Sequence, residues 1–187
     1  MMRVFYGFDS LPHFAHPAAT VGSYDGVHLG HRALIERLVA EAHRAQGESV
    51  VLTFDPHPRV TLHRAEGLRI LTPLDEKIRL FELLGVENLI VIPFDRAFST
   101  LSGQKFIDEY ILGKVGAETL IVGYNHRFGH DRIDGHALAA THKLKIVQVD
   151  ECNIGGEHIS STVIRKLIDN GKIAEAERLL GHPLQID

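Results

Sequence analysis

The chain has 187 residues, of which 44% are hydrophobic and 24% charged, a composition typical of one soluble globular domain. Its formal net charge of −4 argues against a protein that binds duplex nucleic acid or an acidic membrane surface. The sequence shows no signal peptide and no apolar run near the ~18 residues of a membrane span, and the single cysteine, Cys152, excludes an internal disulfide. We therefore expect a single cytoplasmic domain over residues 1–187.

Six short stretches rich in β-branched and apolar residues are predicted to form strands. They are Arg3–Phe5, Ala19–Val21, Val50–Thr53, Asn88–Ile92, Thr119–Val122 and Lys145–Asp150. Helices are predicted at Leu29–Ala45, Leu74–Leu84, Ser102–Leu112, Gly135–Leu144, Ser161–Asn170 and Ile173–Leu180. The segment Ile154-Gly155-Gly156-Glu157 predicts a small β-hairpin before the two C-terminal helices. Strand–helix alternation at this spacing predicts right-handed crossovers and a doubly wound parallel sheet, an α/β fold.

The junction between the strand Ala19–Val21 and the first helix carries the most informative pattern, Gly22-Ser23-Tyr24-Asp25-Gly26-Val27-His28-Leu29-Gly30-His31. Gly22 and Gly26 allow a tight turn and a close approach of the backbone to an anion. The helix N-terminus adds unpaired N–H groups and the positive end of its dipole. His28 and His31 are three residues apart, so both imidazoles can project from one face toward a triphosphate. The pattern therefore predicts a phosphate site.

Three simpler interpretations of this junction remain open. The glycines can reflect turn chemistry alone, and Asp25 can serve only as a helix cap. His28 and His31 could instead bind a metal ion, although no third ligand follows at a suitable spacing. The pattern is neither a Walker motif nor the dinucleotide-binding fingerprint, because it lacks Gly-Lys-Ser/Thr and its glycine spacing differs.

Two further motifs follow predicted strands at their carboxyl ends. In Phe54-Asp55-Pro56-His57-Pro58-Arg59, the two prolines are expected to keep the backbone extended and rigid. The second motif is Gly123-Tyr124-Asn125-His126-Arg127-Phe128-Gly129. Taken alone, the first is explained equally well as a stiff turn and the second as a glycine-flanked loop with one buried aromatic residue.

The last motif opens the helix Ser161–Asn170 with Ser160-Ser161-Thr162, and Arg165 lies one turn further along. On its own this run is a good helix N-cap. Arg165 and the free N–H groups of the helix start would also form a second phosphate site. Two helix starts that face one triphosphate would hold it from both sides.

Together these motifs resemble those of bacterial FAD synthetases, the FMN adenylyltransferase part of bifunctional riboflavin kinase/FAD synthetases. Residues 22–31 are similar to the family's HxGH signature, in which the position of Tyr24 is usually Phe. Residues 54–59 resemble its Asp-Pro-His-Pro element, residues 123–129 its Gly-x-Asp-Phe-x-Phe-Gly segment, and residues 159–165 its Ser-Ser-Thr-x-Ile-Arg motif. Asn125 and His126 stand where the family more often has Asp and Phe. The four elements occur in the family's order.

The resemblance implies a Rossmann-like nucleotidyltransferase of the HxGH type that joins the adenylate of ATP to the phosphate of FMN, giving FAD and pyrophosphate. It implies catalytic roles for His28, His31 and Arg165. The implied ATP-binding residues are Gly22, Ser23, Tyr24, Asp25, Gly26, Gly30, Ser160, Ser161 and Thr162. The implied FMN-binding residues are Phe54, Pro56, His57, Pro58, Arg59, Asn125, Arg127 and Phe128. The riboflavin kinase module of the bifunctional enzymes is expected to be absent from residues 1–187.

This reaction requires no general base from the protein. The second pKa of a phosphate monoester is about 6, so the FMN phosphate is mostly dianionic and already nucleophilic at neutral pH. Catalysis then consists of aligning two anions and neutralising charge on the transferred and leaving phosphates. Mg²⁺ that bridges phosphate oxygens is the expected helper, held mainly by substrate and water, and no protein ligand is assigned to it.

Other functions are weighed against this one. Another HxGH transferase, acting on nicotinate mononucleotide, phosphopantetheine or glycerol phosphate, is disfavoured by the Asp-Pro-His-Pro element. A non-catalytic flavin- or nucleotide-binding module is disfavoured by the two intact histidines of the signature. A metal-storage role ranks last, because most other histidines are expected to be solvated on the surface, among them His13, His43 and His182.

Overall fold

The structure is a computed structural model that describes residues 1–61, 70–124, 127–128, 133–134 and 144–184. Its strands are β1 (Arg3–Tyr6), β2 (Ala18–Val21), β3 (Ser49–Asp55), β4 (Asn88–Pro93), β5 (Thr119–Gly123), β6 (Arg127–Phe128), β7 (Ile133–Asp134), β8 (Lys145–Val149), β9 (Asn153–Ile154) and β10 (Glu157–His158). Its helices are α1 (Leu29–Arg44), α2 (Pro58–Thr61), α3 (Leu74–Leu83), α4 (Arg96–Ser99), α5 (Gly103–Phe106), α6 (Ser161–Asp169) and α7 (Ile173–Leu180). A π-helix, Ile107–Val115, continues α5.

Six strands form one parallel sheet in the order β1-β4-β3-β2-β5-β8. These are the six strands predicted from the sequence, and the expected α/β fold with a doubly wound sheet is confirmed. After β2 the chain first adds β3 and β4 on one side and later adds β5 on the other. The winding direction therefore reverses between β2 and β5, and open α/β sheets bind ligands beyond the strand ends at such a reversal. The loop that follows β2 lies at this point.

Alternate residues of the central strands are buried on opposite faces of the sheet. Val50 and Leu52 belong to a cluster that includes apolar residues of α5 and the π-helix, whereas Val51 belongs to a cluster that includes residues of α1 and α3. Both faces of β3 are covered, as its unbroken apolar sequence predicts.

A third buried cluster lies apart from the sheet, beside the loop after β2. We call it the C-terminal cluster; it consists of Leu71, Ile159, Ile164, Ile168, Ala176, Leu179 and Leu180. It joins α6 and α7 to the segment that precedes α3. A methyl group placed on Gly26 would lie 3.1 Å from Leu71 and 3.3 Å from Leu180, so this cluster packs directly against the loop.

The structure corrects some predicted elements and adds others. The predicted helix Ser102–Leu112 is one α-helical turn followed by the wider π-helix, a distinction that an apolar pattern of this length does not resolve. The predicted hairpin is confirmed as β9 and β10, while α2, α4 and the pair β6–β7 were not predicted because such short elements carry no periodic signal. The predicted helix Gly135–Leu144 lies largely outside the described residues. None of the described helices combines the length and apolar character needed to cross a membrane.

Candidate functional site

The loop from Gly22 to His28, which we call the phosphate loop, has an unusual backbone. Tyr24, Gly26 and Val27 all have positive φ angles, of 49°, 98° and 41°. A β-branched residue such as Val27 rarely adopts this conformation, which persists only where the surrounding structure enforces it. The contacts that hold the loop are therefore central to the site.

His28 and His31 form a reciprocal cap at the start of α1. His28 Nδ1 accepts a hydrogen bond from the His31 backbone N at 3.1 Å, and His31 Nδ1 accepts one from the His28 backbone N at 3.3 Å. The two rings are stacked, with centroids 3.5 Å apart. Because each Nδ1 is an acceptor, each neutral ring carries its proton on Nε2. The pair therefore has two N–H donors available at the far edge of the rings.

Both imidazoles are neutral at physiological pH. The pKa of His28 is lowered from 6.5 to about 4, mainly by burial; a backbone hydrogen bond opposes this change, the neighbouring His158 adds to it, and Asp25 opposes it slightly. Burial also holds the pKa of His31 well below its ordinary value, with smaller contributions from His28 and Lys77. The two rings can thus act on a phosphate as hydrogen-bond donors rather than as cations.

Gly30 of the signature makes room for this arrangement. A methyl group at Gly30 would lie 3.0 Å from Cε1 of His28, so a larger residue would displace the imidazole. Gly22 has a similar packing role, because its methyl group would lie 2.9 Å from Cζ of Tyr24. The space that the Tyr24 ring occupies therefore explains why residue 22 is glycine. A close approach of the backbone to an anion, which the sequence suggested, is not needed to explain it.

Tyr24 is a core residue whose side chain is buried, and its predicted part in ATP binding stays a prediction for its backbone. Its ring is 5% exposed, and its hydroxyl lies 2.6 Å from the Thr20 hydroxyl. The ring packs edge-on against Phe81 and His31, at centroid distances of 5.8 and 5.1 Å. Burial raises the pKa of Tyr24. The aromatic ring thus supports His31 from the side of the core.

Asp25 anchors the phosphate loop and does not cap α1, since the N-cap is His28. Its buried carboxylate accepts hydrogen bonds from the backbone N atoms of Leu71 at 2.9 Å and Thr72 at 3.0 Å. It also forms an ion pair with Arg165, whose side chain is 13% exposed. Arg165 therefore lies against the loop, and its direct contact with a phosphate remains a prediction.

The start of α6 meets the same loop. Ser160 is the N-cap and accepts from the Val163 backbone N at 3.2 Å, while the Ser161 hydroxyl donates to the Asp25 carbonyl at 2.7 Å. The Thr162 side chain is exposed. The two predicted helix starts are thus brought together, since Ser160, Ser161 and the paired histidines line one cavity.

That cavity has a volume of about 280 Å³ and lies at the reversal of the sheet. Its other walls are Leu34, the residues Gly123 and Tyr124 after β5, the residues Val149–Cys152 at the end of β8, and His158–Ile159. His158 faces the Tyr124 hydroxyl at 3.4 Å and pairs with Glu151. Residues 149–152 and 158 were not predicted as part of the site; the first group lies at the end of β8, where open α/β sheets bind ligands.

The segment after β3 lies at the same end of the sheet, beside a cluster of aromatic rings. This aromatic cluster consists of Phe8, Phe54, Phe94, Phe98, Phe106 and Tyr110. Phe54, at the end of β3, contacts Phe94 edge-on at a centroid distance of 5.2 Å. The cluster offers apolar surface for a flat ring.

The proline segment was predicted to be extended, but only part of it is. Pro58 opens the helix α2, and its fixed φ suits the first position of a helix. Pro56 follows a cis peptide bond, and His57 is half-buried. Asn125 lies outside the described residues, and so do the side chains of Arg59, Arg127 and Phe128, so their predicted contacts with FMN stay predictions.

Two further residues, beside the phosphate loop, were not predicted from the sequence. His182, expected on the surface, is half-buried and donates from Nε2 to the Gly26 carbonyl at 2.7 Å. The Lys77 ammonium donates to the Ser23 carbonyl at 3.1 Å and to the Thr53 hydroxyl at 3.3 Å. Within the described ranges, no group of three His, Cys, Asp or Glu side chains is arranged to hold a metal ion.

Residues 12–163 match the family model described as FAD synthetase. A Listeria monocytogenes protein named bifunctional riboflavin kinase/FMN adenylyltransferase is 36% identical over 167 residues, which cover 87% of this chain and 53% of that protein. An Escherichia coli protein of the same name is 34% identical over 89% of this chain and 55% of its own length. The chain thus spans about half the length of these two relatives.

A Geobacillus thermodenitrificans protein that carries the same double name, given provisionally, is 39% identical over 88% of this chain and 89% of its own length. Among solved structures, a Streptococcus pneumoniae protein described as a macrolide-efflux protein superposes with a TM-score of 0.85 and 28% identity, over 98% of this chain and 63% of that one. Pantothenate synthetase from Thermus thermophilus, at 16% identity and a TM-score of 0.56, shares the fold over 96% of this chain and 81% of its own.

Proposed function

Because this chain belongs to the FAD synthetase family, we propose that it transfers the adenylyl group of ATP to the phosphate of FMN and releases pyrophosphate. One observation carries the proposal. The capped histidine pair of α1 and the serine start of α6 line a single cavity at the reversal of a doubly wound sheet. Two helix starts at one cavity offer N–H groups and positive dipole ends to a triphosphate.

The cavity supports the placement of ATP. Its walls at residues 123–124 and 149–152 would enclose the adenosine, and its floor at His28 and His31 would lie beneath the phosphates. The Nε2–H groups of both rings would donate to phosphate oxygens, because their Nδ1 atoms are occupied by the reciprocal cap. Gly22, Ser23 and Gly26 would shape the loop beside the phosphates, while the N–H groups of Gly22 and Gly26 donate to Leu52 and Thr72.

FMN would bind on the neighbouring side, beyond the end of β3. The aromatic cluster at Phe54 provides an apolar surface for the isoalloxazine ring, and residues 56–59 would lie near the ribityl phosphate. A phosphate oxygen of FMN would then attack the α-phosphorus of ATP. The bond to the bridging oxygen breaks, and the electron pair leaves with pyrophosphate.

The protein's part in this step is positioning and charge stabilisation. Hydrogen-bond donors preorganised around the transferred phosphate lower the barrier because they need no reorganisation as charge develops. Mg²⁺, when bound, would neutralise phosphate charge, and the substrates and water would supply most of its ligands. We also propose a cytoplasmic location, because a lone cysteine suits a reducing compartment.

The purified chain should convert FMN and ATP to FAD in the presence of Mg²⁺, with one pyrophosphate released per FAD. Riboflavin, which has no phosphate, is the matched control acceptor and should give no FAD. Nicotinate mononucleotide, phosphopantetheine and glycerol phosphate test the other HxGH activities. Pyrophosphate release with one of these, and none with FMN, would replace the proposal. Binding of FMN and ATP without turnover would indicate a non-catalytic module.

A further inference from the structure

Lys77 is a buried cation between the phosphate loop and the strand that leads to the flavin side. It lies in the first turns of α3, and the residue is 6% exposed. Its ammonium reaches the Ser23 carbonyl of the loop at 3.1 Å and the Thr53 hydroxyl of β3 at 3.3 Å. The Thr53 hydroxyl also donates to the Ser23 carbonyl, at 3.2 Å. These three groups therefore fasten the loop to β3.

The charge of Lys77 is not balanced by an ion pair among the described residues. Both of its acceptors are uncharged. Asp25, a nearby acid, is already bound by backbone N–H groups and Arg165, and the adjacent Glu76 pairs with Arg79. Burial lowers the pKa of Lys77, while Asp25 and Asp55 act to raise it. Burying an ammonium without a paired anion lowers the free energy of unfolding. Its presence here therefore points to a role other than stability, such as binding an anion nearby.

We propose that Lys77 is a positioning residue of the transfer reaction, whose ammonium fixes the Ser23 carbonyl against β3 and keeps a positive charge beneath the phosphate loop. The inference rests on the proposed function. Fixing this carbonyl holds the start of the loop against β3 and thereby helps to set the position of His28 at the end of the loop. The same charge lies close to His31 and favours its neutral, donating form.

The first test replaces Lys77 with Met, which fills similar volume without charge. We expect kcat to fall by about 10²-fold, in the range of one transition-state interaction, while KM for ATP and FMN changes less than about threefold. The thermal midpoint should stay the same or rise, since a buried unpaired charge is removed. Lys172→Met, at an exposed position, is the matched control and should keep wild-type kinetics. Wild-type kcat in Lys77→Met would overturn the proposal.

A second variant, Thr53→Val, removes an anchor of the ammonium while leaving the charge in place. It tests the proposal even if Lys77→Met does not fold. We expect a folded protein with kcat reduced by roughly tenfold, in line with the loss of one hydrogen bond to a charged group. Unchanged kcat in Thr53→Val would contradict a positioning role.

A measurement without FAD synthesis separates this inference from the proposed function. Magnesium pyrophosphate should raise the thermal midpoint of the wild-type protein and raise that of Lys77→Met less. If the wild type makes no FAD but shows this difference, the function fails and the role of Lys77 in phosphate positioning stands. If the wild type makes FAD and both proteins respond equally to pyrophosphate with equal kcat, only the inference on Lys77 fails.

Discussion

The two sides of the site are built in opposite ways. On the side proposed for ATP, which we call the nucleotide side, a strained loop is held by buried charges and hydrogen bonds from distant segments, at Asp25, Lys77, Ser161 and His182. On the side proposed for FMN, which we call the flavin side, the described residues form a cluster of six aromatic rings. The difference indicates that changes on the nucleotide side should affect rate and stability, and that changes on the flavin side should affect FMN affinity.

The largest effect is expected from Asp25→Asn. It removes the buried carboxylate that pairs with Arg165 and accepts from two backbone N–H groups, and removing one partner of a buried ion pair costs about 3–5 kcal/mol. Urea unfolding should show this loss, and turnover should fall with it because the loop loses its anchor. Glu118→Gln removes an acid from an exposed pair with His16 and should change stability little. Equal stability of the two variants would show that the loop does not depend on this pair.

The second prediction concerns the paired histidines. His28→Ala and His31→Ala should each lower kcat by on the order of 10²–10³, as for one transition-state donor, with little change in FMN binding. His28→Asn separates the two roles, because asparagine is a good N-cap but does not place a donor at the Nε2 position. It should keep the wild-type thermal midpoint and still lose turnover. Full activity of both alanine variants would exclude the proposed mechanism.

The third prediction is an acid-dependent loss of stability that originates on the nucleotide side. The pKa of His28 falls from 6.5 to about 4 on folding, so the unfolded chain binds more protons between these values. The contribution of His28 to the free energy of unfolding is therefore complete above pH 6.5. It is lost as the pH falls toward 4, by on the order of 3 kcal/mol. His31 acts in the same direction. Unfolding curves at several pH values should show that the free energy of unfolding depends less steeply on pH in His28→Asn than in the wild type. An equal dependence on pH would refute this origin.

The smallest effect is expected on the flavin side, from Phe54→Leu. The substitution keeps apolar volume and removes an aromatic contact of about 0.5–1.5 kcal/mol with neighbouring or bound rings. We expect KM for FMN to rise roughly three- to tenfold while KM for ATP and kcat stay nearly constant. Phe5→Leu, a half-buried phenylalanine outside the aromatic cluster, is the control. A change in KM for ATP instead would reverse the assignment of the two sides.

The sequence predicted the frame of this site well. Local patterns mark the strands β2 and β3 and the starts of α1 at Leu29 and α6 at Ser161, so periodicity and capping residues were enough to locate them. The anchors of the loop were not predictable in this way. Asp25 binds residues 46 and 47 positions away, and His182 binds a carbonyl 156 positions away. Such contacts depend on the packed fold and leave no mark on neighbouring sequence.

Residue types also concealed some roles. Tyr24 lies within a motif predicted to bind ATP, but its ring is buried and packs edge-on against Phe81. Lys77 lies on an amphipathic helix, where a lysine ordinarily indicates the solvent face, yet it points inward. Only its neighbours in space, Ser23 and Thr53, explain why a cation is there.

The dependence of the phosphate loop on residues 161–182 has a consequence for protein synthesis. A ribosome translates residues 22–28 long before it reaches Ser161, Arg165 and His182, which hold Asp25 and Gly26 in place. During that interval the positive φ angles of Tyr24 and Val27 have nothing from the C-terminal cluster to enforce them. The emerging polypeptide can assemble its early strands in this time, but the phosphate loop gains these anchors only after residue 182 has been translated.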